Sequence, residues 1–145
     1  MRVAEISVKY NLKIKNSDRE KVSSSGRAYE ILKPFYNELM DYKELSYMIL
    51  LNRSNRVLGV HKLSEGGKAS TVIDIKIVFQ VALIAGASAI ILSHNHPSGE
   101  LRSSQHDDNL TKQITQAGKL VDIPVLDHLI LTSESYYSYA DEGKI

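Results

Sequence analysis

A single α/β domain, a mixed sheet flanked by helices, is what the 145-residue sequence predicts, and three features predict it. Segments with strand-like alternation and segments with helical periodicity interleave along the whole chain, the pattern of layered α/β architectures. Two apolar runs, ELSYMILL and RVLGVHKL, flank a polar stretch at residues 52–55 as the arms of a β-hairpin would. The greasiest run, residues 77–92, is interrupted by Gly86 and divides into a helical half and a short buried strand.

Taken in order, residues 4–15 alternate roughly as a strand. SSSGRAYEILKPFYNELMDY follows, with serines to cap a helix that runs to about Tyr42 and whose start Pro34 kinks or shifts. After the hairpin, residues 64–70, SEGGKAS, form a flexible connection. From Asp74 onward Ile77, Val78, Val81, Ile84 and Ala85 recur at helical spacing, and Gly86 is the stop. SAIIL is then a buried strand ended by Pro97 and Gly99. Ser103 or Ser104 opens another helix, reaching about Lys119, and PVLDHLILTS and YYSYAD alternate as strands, the second packed through Tyr136, Tyr137 and Tyr139.

At 145 residues and 43% hydrophobic composition, residues 1–145 make one domain able to bury its own core. Eighteen basic against seventeen acidic side chains leave a formal charge of +1, so no global attraction to nucleic acid or membrane is built in; Lys9, Lys13, Lys15 and Lys21 are the source of any local basic patch. The absence of cysteine removes disulfides, thiolate ligands and a cysteine nucleophile. The opening MRVAEISVKYNLKIK has no apolar stretch of signal-peptide type, and the longest greasy run falls short of the roughly 20 residues of a membrane span, so a cytoplasmic location is expected.

The chemistry concentrates in ILSHNHPSGELRSSQHDDNL, residues 91–110. Residues two apart on a strand point the same way, so His94 and His96 emerge together at the strand's end, with Pro97 holding His96 extended. Eleven positions after His96, Asp107 lies one turn into the next helix, on one face with Ser104. Two imidazoles and a carboxylate suit zinc and leave a fourth position for water, a catalytic pattern rather than a structural one. Glu44, opening a strand, is the best placed of the upstream carboxylates for a general base. Simpler readings stand beside these: Ser104-x-x-Asp107 is also a capping-box pattern, and Glu44 also reads as a solvated strand-start residue. His61 and His106 have no spacing partner and read as surface residues.

His94-x-His96, seven residues, Ser104, two residues and Asp107, with a glutamate upstream on a strand, resembles the JAMM (JAB1/MPN/Mov34) metalloprotease motif. The longer strings HNHPSG, LDHLILT and YYSYADEG resemble the RadC branch, over roughly residues 44–143. The resemblance implies a JAB1/MPN sheet flanked by helices, similar to the cytidine-deaminase architecture. It implies Zn2+ held by His94, His96 and Asp107, Glu44 as general acid/base and Ser104 steadying the water or oxyanion, with Ser103 left to supply the helix cap. Asp127 and His128 resemble the family's D-H pair, one of which would orient a ligand. This chain has Ser103 where RadC proteins usually have proline and DIKI at residues 74–77 where H-P-R-E is usual, and the expectation is a domain without the helix-hairpin-helix segment of full-length RadC proteins.

The function so implied is a zinc-dependent metallopeptidase or isopeptidase, with a peptide or protein substrate as partner. The alternative is a DNA-associated accessory protein without peptidase activity, which near-zero charge, no tryptophan and no nucleic-acid motif support less well. A zinc deaminase on the related fold would need P-C-x-x-C ligands, which a chain without cysteine cannot supply.

Overall fold

The computed structural model describes residues 1–9, 13–66 and 72–145. Its centre is a five-stranded mixed sheet of order β2-β1-β3-β4-β5, built from β1 (Leu45–Leu51), β2 (Val57–Glu65), β3 (Ala89–Asn95), β4 (Val125–Leu131) and β5 (Tyr136–Ser138). The helices are α1 (Ser25–Tyr36), α2 (Ile75–Ile84) and α3 (Gln105–Leu120). Among the described strand pairings only β3 and β4 run parallel, and that pairing needs the long crossover that α3 supplies. The α/β class with helices against a mixed sheet is therefore as the sequence predicts.

Strand alternation sorts the core into two layers. Leu45, Ile49, Leu51, Ala89, Ile91, Leu129 and Leu131 pack with Ala28, Leu32 and Tyr36 of α1 on one face. Met48, Leu50, Ile90, Leu92 and Val125 pack with Val78, Phe79 and Ala82 of α2 and Ile114 of α3 on the other. Because β3 is buried on both faces, its sequence reads as a continuous apolar run rather than an alternating one. The same parity carries His94 onto the α3 face and Asn95 onto the α1 face.

The hairpin forms as expected. Asn52 organises its turn by accepting from Ser54 N–H and Arg56 N–H with its side-chain oxygen, both at 3.0 Å, and Asn55 takes φ +60°, a conformation asparagine tolerates. Asp74 caps α2 by accepting from Lys76 N–H at 2.9 Å. Gly86, at φ +66°, turns the chain out of α2 as predicted. Gly118 lets α3 approach the turn into β4: a Cβ there would stand 2.5 Å from Ile123 O.

Four expectations are corrected. Among the described residues, 4–9 and 13–15 form no strand; they are exposed, and alternation without a partner edge to bond to does not make one. Residues 10–12 lie outside the described residues. The first helix runs through Pro34 and ends at Tyr36, not near Tyr42: Asn37 turns to φ +46°, and a 3-10 turn (Asn37–Leu39) follows. Ser64 and Glu65 of the expected connection belong to β2, while residues 67–71 lie outside the described residues. The cap of α3 is Ser104, not Ser103. Ser104 Oγ accepts from Asp107 N–H at 3.0 Å and Asp107 Oδ2 accepts from Ser104 N–H at 2.9 Å, a reciprocal box that needs an acid three residues into the helix, which only the Ser104 register provides. Ser103 Oγ instead accepts from Lys144 Nζ at 2.9 Å.

Candidate metal centre

The end of β3 and the start of α3 converge as the spacing predicts. His94 is 4% exposed, and His96 and Asp107 are half-buried beside it. The two imidazoles address different carboxylate oxygens: His94 Nε2 lies 3.4 Å from Asp107 Oδ1, and His96 Nε2 lies 3.3 Å from Asp107 Oδ2. The two Nε2 atoms are 3.0 Å apart. Ligand distances of about 2.0–2.2 Å, usual for nitrogen and oxygen on zinc, put tetrahedral corners about 3.3–3.6 Å apart. The two nitrogens stand a little closer than that, one ligand atom from each of the three residues lies within 4.8 Å of the others, and this His-His-Asp group could hold a metal ion.

Electrostatics at the centre favour positive charge. Burial works against ionisation of Asp107, but its hydrogen-bonding imidazoles, His94 and His96, outweigh it and hold the carboxyl far below the usual carboxylate range. For His96, burial acts to lower the imidazolium, and Asp107, the Glu100 carbonyl and the charge of Glu44 together raise it above 6.5. His96 Nδ1 donates to Glu100 O at 2.9 Å, which leaves Nε2 as its metal-facing atom.

Glu44 sits half-buried immediately before β1, where its backbone carbonyl accepts from Gly66 N–H at 2.9 Å, and its charge acts on His96. The segment carrying it is pinned by Asn95, the residue between the two histidines. Fully buried, Asn95 accepts from Leu45 N–H at 2.7 Å and donates to Met40 O at 2.8 Å and Lys43 O at 2.9 Å. Its side chain thus holds the peptide groups on either side of Glu44. The two faces of one strand end serve the site differently: His94 and His96 present donors, and Asn95 holds the carboxylate's backbone.

Asp127 and His128 separate in the same way. His128, fully buried on the α3 face, places Nε2 2.8 Å from His94 Nδ1. Burial, then the charge of His94, push His128 well below 6.5, so it is neutral. Asp127 points to the opposite face, accepting from Ser138 Oγ at 2.6 Å, Ala140 N–H at 3.0 Å and His128 N–H at 2.7 Å. Burial raises its pKa, with these bonds working against the rise. It ties β4 to the turn after β5, and none of these bonds goes to His94, His96 or Asp107. His61 and His106 are exposed, as expected.

Sequence reasoning passed over Thr111 and Asn95 here, and read Tyr139 only as packing the last strand. Thr111 lies one turn beyond Asp107, a spacing that could have found it, and its hydroxyl is 2.6 Å from His128 Nδ1. Tyr139 stacks on His128, ring centroids 5.0 Å apart at 11°, and donates to Asp108 Oδ1 at 2.8 Å; no local pattern gives that contact. Asn95 was legible only as the residue whose parity opposes the histidines.

A mixed sheet whose H-x-H strand end faces a Ser-x-x-Asp helix start defines an α/β domain of JAB/MPN type with a possible metal site. Compared with known families, residues 22–144 match the one described as RadC-like JAB domain, and the chain belongs to that family. Curated relatives are each described as a UPF0758 protein. That of Flavobacterium johnsoniae is 46% identical over 124 residues, covering 86% of this chain and 53% of the relative. That of Porphyromonas gingivalis is 39% identical over 126 residues, covering 86% and 55%. A third, from Salinibacter ruber, is 35% identical over 128 residues, covering 88% and 54%. The chain spans about half the length of these relatives. Among the described residues no helix is long and apolar enough to cross a membrane.

Proposed function

We propose that this domain is a zinc-dependent hydrolase of the JAMM type, cleaving a peptide or isopeptide bond in a protein substrate. The observation that carries the reading is the convergence of His94 Nε2, His96 Nε2 and the Asp107 carboxylate within mutual distances of 3.0–3.4 Å. Two nitrogens and one oxygen suit zinc, which when bound supplies a Lewis acid and lowers the pKa of its water to about 7.

The chain's own residues would do the rest. Glu44, held beside His96 by the Asn95 clamp, takes a proton from the attacking water and delivers it to the leaving nitrogen. The Ser104 hydroxyl accepts from Asp107 N–H and keeps its own proton to donate to the oxyanion that develops on the substrate carbonyl. The β3 backbone, bonded on both sides, keeps His94 and His96 in place through the cycle.

The test is an unbiased peptide and isopeptide library screen of zinc-loaded protein, with Glu44→Gln as the control. Cleavage by the wild type, with turnover lowered at least about a hundredfold in a variant that keeps its metal, is the expected result. Loss of zinc in Glu44→Gln would make Glu44 a ligand or a structural residue. Equal turnover by both proteins would end its role as the base.

A further inference from the structure

We infer that Thr111, acting through His128, is a positioning residue for the metal centre, setting which nitrogen of His94 is free to bind the ion. This deepens the reading of a metal site and rests on it.

The inference follows from a hydrogen-bond circuit that starts and ends on ligand residues. His94 Nδ1 is 2.8 Å from His128 Nε2, His128 Nδ1 is 2.6 Å from Thr111 Oγ1, and Thr111 Oγ1 is 2.7 Å from the backbone oxygen of Asp107. The last atom fixes the direction of all the others, because a carbonyl can only accept. Thr111 must therefore donate to Asp107 O, which leaves its oxygen to accept from His128 Nδ1–H. A neutral imidazole has one donor and one acceptor nitrogen, so His128 Nε2 is the acceptor and His94 Nδ1–H the donor. His94 Nε2 is then a lone pair, aimed at the point that His96 Nε2 and the Asp107 carboxylate also face.

The extra link is a chemical necessity of using histidine at this place. A carboxylate or carbonyl behind a metal-binding histidine can only accept, and so settles the tautomer unaided. His128 can present either polarity. If Thr111 turned its proton toward His128 Nδ1, every bond would reverse and His94 Nε2 would carry a hydrogen, which no metal ligand can. The Asp107 carbonyl, one helical turn before Thr111, prevents that reversal. Tyr139, stacked flat on His128 and tied by its hydroxyl to Asp108 of the same helix, stops the ring from rotating out of the circuit.

Thr111→Val keeps the shape and removes the hydroxyl, whereas Thr111→Ser keeps a hydroxyl able to reach the same carbonyl. Zinc affinity would be measured for both variants and wild type by competition with a chromophoric chelator. Nitrogen-15 spectra of the metal-free proteins, above the ordinary histidine range of pH, would report the tautomer of His128. The expected result is zinc binding weakened about 10–100-fold in Thr111→Val and restored in Thr111→Ser, with His128 protonated on Nδ1 in wild type and mixed in Thr111→Val. Wild-type affinity in Thr111→Val, or a proton on Nε2 of His128 in the wild type, would overturn the inference. The wild-type spectrum decides the circuit even if Thr111→Val does not fold. It also separates the two claims, since a wild type that binds no zinc while showing the Nδ1–H tautomer fails the metal reading and keeps the circuit.

Discussion

Replacing Asn95 by alanine should uncouple stability from metal binding. The Asn95 carboxamide is fully buried and makes three hydrogen bonds of 2.7, 2.8 and 2.9 Å to the backbone of residues 40–45. At a net contribution of about 1 kcal/mol each, their removal costs about 3 kcal/mol. Unfolding entropy of about 2.1 cal/mol/K per residue amounts to about 0.3 kcal/mol/K for a chain of 145 residues, so Tm should fall by about 10 °C. Zinc stoichiometry should hold, because His94 and His96 leave β3 on the face opposite Asn95. Asn95→Asp should be at least as damaging, since it keeps the acceptor for Leu45 N–H and sets an oxygen against the Met40 and Lys43 carbonyls. Urea unfolding and elemental analysis of the same preparations provide the comparison. A loss under about 1 kcal/mol, or zinc lost in proportion to stability, would refute the clamp.

Two further outcomes are expected. Ser104→Ala should lose about 1 kcal/mol of stability in urea unfolding, because Ser104 and not Ser103 caps α3, and Ser103→Ala should lose far less; the reverse order would displace the capping box. Zinc affinity, read by chelator competition across a pH series, should be full above the folded pKa of His96 and weaken as pH falls through it, because proton and metal compete for the same Nε2; with that pKa raised, the loss should begin above pH 6.5, and affinity independent of pH would argue against imidazole ligation.

Much of the site was legible because it depends on two short-range periodicities. Residues two apart on β3 had to share a face, and residues three apart at the start of α3 had to share another, so His94, His96, Ser104 and Asp107 could be brought together on paper. The capping box and the candidate metal ligand fall on the same Asp107, so the simpler interpretation of Ser104-x-x-Asp107 was correct without displacing the other. Strand parity also decides the Asp127 and His128 pair, since adjacent strand residues cannot both face α3. Long-range pairings were illegible. Alternation in residues 4–15 could not reveal that, among the described residues, 4–9 and 13–15 have no strand to bond to. The stack of Tyr139 on His128 depends on how β5 returns beside β4.

Elemental analysis of protein purified without added metal, beside His96→Ala prepared identically, tests the metal centre most directly. With one ligand atom each from His94, His96 and Asp107 within 4.8 Å of one another, the wild type should carry about one zinc per chain, and His96→Ala, left with a two-ligand remnant, should carry essentially none. Equal metal in the two proteins, or none in the wild type even after exposure to zinc, would contradict it.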